Sequence, residues 1–372
     1  MIQFCKKCFL PSTRPNLGFN NEGVCSACQW SDLKKHVDWP RRQAYFKGLC
    51  EHYGKAIVPW SGGKDSIYVA YKMRDFGIDP LLITVLPDLE TEIGAWNRKN
   101  VCKDFKKIEI TVSEAKYRDR ARECFIENGK VKHPWECAIS ALVLQQAIKE
   151  GYKFVVYGEE GGAEYGGWGG FERALNHWKE PIDIKYLKEY YFWGKEMFEL
   201  PPNYDDLFFT QYSRFESWQS FKHADFAIGK GMRTIPVRSV GTFTCSAQIS
   251  DTLQDLHAYI LFVKFGFGRA TADGCIALRD GWTDREEALE WIEAYDGEFN
   301  NAALPEFLEY LRMDKKEFDE VIAKHANREI VEQAAPCGTS AGHLWYLKSW
   351  ICNLRRLGMP QQFISEHRFR VK

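Results

Sequence analysis

The sequence predicts an α/β fold with a parallel β-sheet, because strand-like and helix-like segments alternate and a glycine-rich turn follows the first strand. The predicted strands are residues 55–59, 81–86, 107–112 and 153–157. The predicted helices between and after them are residues 67–76, 93–105, 113–128 and 138–150. Strands separated by helices indicate a parallel sheet covered on both faces. Ligands of such sheets bind at the carboxyl ends of the strands.

Length and charge indicate an ordinary globular enzyme. The chain has 372 residues and a formal net charge of −1, from 50 basic and 51 acidic residues. Such a balance gives no overall basic surface for nucleic acid. The sequence has no apolar run of the length of a membrane span, and its start does not resemble a signal peptide, so we expect a cytoplasmic protein. Its 12 cysteines then need an explanation other than disulfide bonds.

Four cysteines near the start have the spacing of a metal site. Cys5 and Cys8 form one Cys-x2-Cys pair, and Cys25 and Cys28 form a second pair sixteen residues later. Two such pairs predict a tetrahedral structural zinc ribbon with no open ligand position. The remaining cysteines are scattered, and most are expected to be buried. An iron–sulfur cluster on Cys102, Cys137 and Cys245 stays open as an alternative, although no spacing supports it.

A glycine loop follows the first predicted strand and opens a helix. The loop consists of Ser61, Gly62, Gly63, Lys64, Asp65 and Ser66. Two glycines let backbone N–H groups approach an anion, and the following helix N-terminus favours negative charge. Lys64 adds a positive charge, and Asp65 is a candidate Mg²⁺ ligand. The pattern differs from the Walker loop, and an ordinary Gly-Gly turn is the plainer alternative.

A second glycine-rich segment follows the last predicted strand of the first half. Its acids are Glu159, Glu160 and Glu164, and Tyr165 lies beside them. Because carboxyl ends of parallel strands meet at one edge, this segment is expected near the glycine loop and near Pro87-Asp88. These acids could bind metal or sugar hydroxyls, and a surface loop is the alternative.

Later in the chain, residues 248–265 have a helical pattern. It aligns Asp251, Gln254 and Asp255 on one stripe and ends at Gly266, with Arg269 just beyond. A solvated helix face is the alternative reading. Between the two halves, residues 181–226 are rich in aromatic residues without a clear period. They are interpreted as an insertion that lines a substrate pocket or as an irregular aromatic layer.

These motifs together resemble known families. The glycine loop resembles the PP-loop of N-type ATP pyrophosphatases. The stretch 251–271, the cysteine ribbon, the glycine loop and the segment 158–167 together resemble the N-acetyl sugar amidotransferases of the WbpG and PseA type. The resemblance implies a zinc ribbon at residues 1–35, a PP-loop ATP pyrophosphatase domain at residues 36–180, and an aromatic-rich insertion followed by a largely helical substrate and partner region at residues 181–372.

The resemblance also implies an activity. ATP with Mg²⁺ would adenylate the oxygen of a sugar acetamido group, and ammonia would displace AMP to leave an acetamidino group. The sugar would belong to a bacterial surface polysaccharide such as the O-antigen of lipopolysaccharide, or be a nonulosonic acid. Ammonia would come from a partner glutaminase associated with a cyclase-like subunit, and the charged helical region 284–372 is a candidate partner surface.

Roles are predicted for individual residues on the same basis. Catalytic roles are predicted for Lys64, Asp65, Glu159, Asp251 and Asp255. Residues 61–66 would bind the nucleotide phosphates. Substrate binding is predicted for Glu164, Tyr165, Gln254 and Arg269. The rival functions are tRNA thiolation, which requires a basic RNA-binding face and catalytic cysteines, and a scaffold without catalysis, which the intact Lys64 and Asp65 disfavour.

Overall fold

The structure is a computed structural model that describes residues 2–159, 161–167, 197–199, 203–333 and 345–357. Within these ranges five strands form one parallel sheet in the order β3-β2-β1-β4-β5. The strands are β1 (Ile57–Pro59), β2 (Leu81–Val85), β3 (Lys107–Ile110), β4 (Phe154–Tyr157) and β5 (Phe208–Gln211). The predicted α/β class and parallel sheet are confirmed.

Helices cover both faces of the sheet, as its alternating apolar side chains require. The helices of the first half are α1 (Ser26–Lys34), α2 (Trp39–Tyr53), α3 (Lys64–Asp75), α4 (Glu92–Asn100), α5 (Glu114–Asn128), α6 (His133–Lys149) and α7 (Gly161–Glu164). In β1, Val58 packs into a core with residues of α2 and α3, whereas the adjacent Ile57 packs into a core with residues of α5 and α6. Successive strand residues point to opposite faces, so one short strand joins both layers.

The sheet continues into the aromatic-rich region. Strand β5 pairs with β4, Val155 lying opposite Phe209, and helix α8 (Ser220–Gly229) packs against α3. The sequence analysis did not predict this strand or this helix, because the region has no clear period. Tyr212 and Trp218 lie in the same core as the first strands of the sheet. The described part of the aromatic-rich region therefore completes the sheet domain that was predicted to end at residue 180. Residues 181–196 and 200–202 of the same region lie outside the described ranges.

The rest of the described chain is mostly helical, as predicted. Its helices are α9 (Leu253–Phe265), α10 (Arg269–Arg279), α11 (Arg285–Tyr295), α12 (Leu304–Leu311), α13 (Lys315–His325) and α14 (Ser349–Arg355), with the antiparallel pair β6 (Val331–Gln333) and β7 (Trp345–Leu347). Helix α9 ends at Gly266, which adopts the left-handed conformation expected of a C-terminal cap. None of the helices described is both long and apolar enough to cross a membrane.

The cysteine-rich N-terminus packs against this helical region. Cys5, Cys8 and Phe9 share a buried cluster with Leu289 and Ile292 of α11. Helix α1 begins directly after Cys25, includes Cys28 and contacts α7. The ribbon therefore lies between the helical region and the segment that follows β4.

Candidate functional site

The glycine loop lies at the carboxyl end of β1, where α3 begins. Gly62 has φ +74°, and a Cβ atom at this position would lie 2.6 Å from the backbone nitrogen of Arg98. Only glycine fits a position with positive φ and so close a neighbour. The Ser66 hydroxyl donates to the Gly63 carbonyl at 3.0 Å, and Gly63 N–H donates to Ser61 Oγ at 3.2 Å. The loop is thereby fixed at a helix N-terminus, where backbone N–H groups favour an anion.

The sheet order brings the glycine loop and the segment after β4 together. Strands β1 and β4 are neighbours, Ile57 lying opposite Val155, although almost a hundred residues separate them. Chain connections leave in opposite directions on the two sides of this pair, which is the usual ligand position in such sheets. Glu159 follows β4 by two residues and reaches the same cleft as Ser61.

Two adjoining cavities open at this edge. The larger has a volume of about 320 Å³ and a largely apolar wall that includes Trp60, Trp135 and Ile139. The smaller has a volume of about 180 Å³ and a polar wall that includes Lys64 and Arg269. Both cavities are lined by Ser61, Asp65, Glu159 and Ser250. One cleft thus has an apolar compartment, a polar compartment and a charged boundary between them.

Asp65 is held between a lysine and a histidine. The Lys64 ammonium donates to Asp65 Oδ2, and His223 Nδ1 lies 3.2 Å from Asp65 Oδ1. Burial works to raise the pKa of Asp65, but the Lys64 charge and the His223 hydrogen bond outweigh it and hold the pKa below its usual value. Asp65 therefore remains a carboxylate at neutral pH.

Glu159 differs from Asp65 in its surroundings. In the described part of the chain no side chain donates a hydrogen bond to it, and it lies where the two cavities meet. Burial and the nearby Asp65 charge raise the pKa of Glu159 to about 7. A carboxyl group with this pKa can accept and return a proton near neutral pH, as a general base requires.

Tyr165 and Arg269 line the polar cavity together with residues of the loop. Burial raises the pKa of the Tyr165 hydroxyl, so the group stays protonated and can donate a hydrogen bond. Arg269 Nη2 and Nε contact the Asp273 carboxylate at 2.8 and 3.0 Å, and Thr242 donates to the same carboxylate at 2.7 Å. This support fixes the guanidinium beside a cavity that also contains Lys64, which suits an anionic group.

The predicted stripe on residues 248–265 does not form on one helix, because α9 begins at Leu253 and Asp251 precedes it. Asp251 lines the apolar cavity and is paired with Lys132; both side chains are buried. Asp255 lies outside both cavities and accepts hydrogen bonds from Asn300 at 2.8 Å and Gln248 at 3.1 Å. Burial raises the pKa of Asp255 to about 7. Gln254 also lies outside both cavities, so of this stripe only Asp251 reaches the cleft.

Glu164, for which substrate binding is predicted, lies beneath the cleft and not in it. Its carboxylate accepts hydrogen bonds at 2.9 Å from both Trp30 Nε1 and Lys34 Nζ of α1. Arg279 donates to its backbone carbonyl at 2.8 Å. Both side-chain oxygens are therefore used within the fold, and the geometry assigns Glu164 to the support of its neighbour Tyr165.

The four predicted metal ligands come together at one buried position. The Sγ atoms of Cys5 and Cys28 are 3.8 Å apart, those of Cys8 and Cys25 are 3.7 Å apart, and all four lie within 4.8 Å of one another. Tetrahedral Zn–S bonds of about 2.3 Å place sulfur atoms roughly 3.8 Å apart. The cluster can therefore hold a metal ion such as zinc. Cys102, Cys137 and Cys245 form no comparable group among the residues that the structure describes.

Several residues of the cleft were missed by the sequence analysis. Lys132, Arg98 and the segment 246–250 line the cavities, and the segment forms one wall of the polar cavity. His223 lies outside both cavities and contacts Asp65, which lines them. This wall approaches α4 so closely that a Cβ atom at Gly94 would lie 2.6 Å from Ser250 Cα. None of these residues belongs to a local motif, and only their long-range contacts identify them.

A comparison with known protein families matches the region of the chain that begins just before β5. Residues 203–335 match the model of a family described as "LPS biosynthesis protein WbpG-like, C-terminal domain". The resemblance to WbpG-type proteins is confirmed. The WbpG-like region supplies β5, His223, the wall 246–250 and Arg269, so it forms part of the cleft and not a separate appendage. This match over residues 203–335 indicates a sugar-modifying biosynthesis enzyme.

Other comparisons add little. No curated protein matches the chain. A solved structure described as a predicted subunit of a tRNA methyltransferase from Methanocaldococcus jannaschii matches with a TM-score of 0.31 and 13% identity, over 56% of this chain and 86% of that one. A likeness at this level says nothing about function.

Proposed function

We propose that this chain is an ATP-dependent amidotransferase that converts the N-acetyl group of a surface-polysaccharide or nonulosonic-acid sugar into an acetamidino group. The observation that supports it most directly is the boundary shared by the two cavities, which contains Asp65 and Glu159. An apolar and a polar compartment that meet at a glycine loop suit a nucleotide on one side and its acceptor on the other. The WbpG-like match supports a sugar as the acceptor.

The nucleotide would occupy the apolar cavity with its phosphates at the glycine loop. Trp135, which is partly exposed, offers a ring surface to a nucleobase. The N–H groups at the start of α3 and the Lys64 ammonium would bind the pyrophosphate that leaves. Mg²⁺ bound with the nucleotide would screen the phosphate charge, and Asp65 is a suitable carboxylate beside the loop.

The reaction would have two steps. The acetamide oxygen attacks the α-phosphorus of ATP, an O–P bond forms, and pyrophosphate leaves. Ammonia then attacks the activated carbon, the attacking nitrogen loses a proton, and the C–O bond to AMP breaks. Glu159 would accept the proton, because its carboxyl group lies at the boundary of both compartments and has a pKa of about 7. Tyr165 and Arg269 would bind the sugar in the polar cavity.

Two predictions about the wider system remain part of this proposal. A partner glutaminase with a cyclase-like subunit would supply ammonia, and α11 and α13 present charged faces that are candidates for its surface. Residues 358–372 of the predicted partner region lie outside the described ranges. For the rival thiolation of tRNA a cysteine in the cleft is required, and the described residues that line the two cavities include none.

The test is mass spectrometry of N-acetyl amino sugars after incubation with the protein, Mg-ATP and heavy-isotope ammonium. Nucleotide-linked and lipid-linked sugars belong in the panel. We expect isotope incorporation with one AMP per amidine formed, and a loss of at least about 100-fold in rate for Lys64→Ala. The matched control Lys99→Ala changes an exposed lysine on α4 and should retain the rate. Sulfur transfer to tRNA from sulfide, with no isotope in any sugar, would contradict the proposal.

A further inference from the structure

We propose that His223 is a positioning residue that holds the Asp65 carboxylate at the boundary of the two cavities by a hydrogen bond from Nδ1–H. The inference rests on the proposed function only for the role of Asp65 beside the nucleotide. Through His223 the WbpG-like region would hold a residue of the glycine loop directly, since His223 lies on α8 and Asp65 lies in the first turn of α3.

The His223 ring is fixed on both sides. It stacks on Tyr68 with ring centroids 3.9 Å apart and an angle of 22°, and it meets Trp218 edge-on at 4.2 Å. Only 2% of the residue is exposed. A ring held in this way cannot turn freely, so the nitrogen that lies 3.2 Å from Asp65 Oδ1 keeps its direction.

The charges around the ring favour a neutral donor. Burial lowers the pKa of His223, and the Lys64 charge works in the same direction, whereas Asp65 and Glu216 oppose them. Glu216 accepts hydrogen bonds from the Tyr68 and Tyr212 hydroxyls and lies 3.6 Å from Lys72 Nζ. A neutral imidazole has one N–H group, and a carboxylate can only accept, so the contact with Asp65 requires the proton on Nδ1.

This contact gives Asp65 a second partner besides Lys64. The two residues are adjacent in sequence, and their side chains are paired in the structure. When Lys64 turns to a phosphate, Asp65 loses that partner. The hydrogen bond from His223 then keeps the carboxylate at the boundary of the cavities. His223 touches neither cavity, so it acts through Asp65.

Three variants of α8 test the proposal. His223→Leu removes the donor, whereas His223→Asn retains an N–H group near the position of Nδ1. Phe226→Leu is the matched control, because Phe226 lies on the same helix and packs edge-on against Tyr68 at 5.3 Å without touching Asp65. The measurements are Mg-ATP affinity by calorimetry, kcat and KM for AMP formation, thermal unfolding, and the tautomer of His223 by ¹⁵N NMR.

We expect the Nδ1–H tautomer in the unmodified protein. We further expect His223→Leu to weaken Mg-ATP binding or lower kcat at least tenfold, His223→Asn to recover most of that loss, and Phe226→Leu to lower only the unfolding temperature. The Nε2–H tautomer, or an Asn variant as impaired as the Leu variant at equal thermal stability, would overturn the proposal. Intact Mg-ATP binding without amidine formation would instead overturn the proposed function alone, since tautomer and affinity still test His223.

Discussion

Carboxyl groups in the cleft differ in pKa because their neighbours differ. Asp65 has Lys64 and His223 as partners and stays ionised, whereas Glu159 has no donor among the described residues and faces the Asp65 charge. Two acids separated in this way can take different roles, one as a permanent charge and one as a proton acceptor.

We expect kcat for AMP formation to rise with pH, with its midpoint near pH 7 and a plateau above it, because Glu159 accepts a proton only when ionised. Glu159→Gln should abolish this limb and lower kcat by about 10²-fold or more, and the exposed Glu92→Gln is the control. The free energy of unfolding should change with pH in the opposite direction. The pKa of Glu159 in the folded state lies above its ordinary value of 4.5, so Glu159 stabilises the fold most below pH 4.5. This stabilisation is lost as the pH rises through 7. A pH–rate profile that is identical in the Gln variant would contradict the role.

The two loop glycines should respond differently to alanine. In Gly62→Ala the new Cβ meets the Arg98 backbone at 2.6 Å and the positive φ is strained, so we expect a loss of about 1–3 kcal/mol in unfolding free energy. Gly63 has φ −88°, and a Cβ there meets only Ser61 Oγ at 3.3 Å. Gly63→Ala should therefore cost less than about 1 kcal/mol. Chemical denaturation measures both variants, and equal losses would contradict the close approach of loop and α4.

At the scale of elements, the ribbon supports the segment that carries Tyr165. Ser26 of α1 donates to the Gly166 carbonyl at 3.2 Å, and a Cβ at Gly166 would lie 2.5 Å from a methyl group of Leu17. Lys34 binds Glu164 in the same contact. The cysteine ribbon thus supports the segment beneath the polar cavity.

Lys34 and Glu164 form a buried ion pair whose disruption should be costly. Both side chains are 8% exposed, so Lys34→Met leaves a buried carboxylate without its cation, and we expect a loss of about 3–5 kcal/mol. The neighbouring pair of Lys35 and Asp32 is exposed, and Lys35→Met should cost less than about 1 kcal/mol. Denaturation of the metal-loaded protein measures both. The double variant Lys34→Met with Glu164→Gln should regain much of the loss, and equal effects of the two lysine variants would refute a supporting role.

At the scale of the whole molecule, the predicted boundary at residue 180 cuts through the sheet. Strand β5 and helix α8 lie beyond it, and Phe208, Tyr212 and Trp218 share one core with Val58 of β1. The ribbon likewise packs on α11. In the described residues, the predicted sheet domain shares a core with the region after residue 180, and the predicted ribbon shares a second core with that same region.

A fragment of residues 1–180 should not reach a native state. It would expose the edge of β4 and the apolar surface that Phe208, Tyr212 and Trp218 cover. We expect weak near-ultraviolet circular dichroism and no cooperative thermal transition, measured beside the full chain with zinc present. A cooperative transition in the fragment would mean that the boundary is real and that β5 is an addition to a complete domain.

Local patterns determined much of this protein without the tertiary structure. Four strands, the glycine loop, the cap at Gly266 and the four-cysteine cluster follow from short-range spacing, because backbone geometry and ligand geometry act over a few residues. Strand limits differed slightly, since β1 begins at Ile57 and not at residue 55. The aromatic-rich region has no period, so β5 and α8 escaped prediction.

Long-range packing decided the rest. Only the strand order brings Glu159 to the glycine loop, and only the packing of α8 on α3 brings His223 to Asp65. Contacts between α1 and α7 pair Glu164 with Lys34, and Asp255 lies outside both cavities. The sequence by itself specifies which groups are present, whereas burial and charge in the folded chain decide which of them meet and which can exchange a proton.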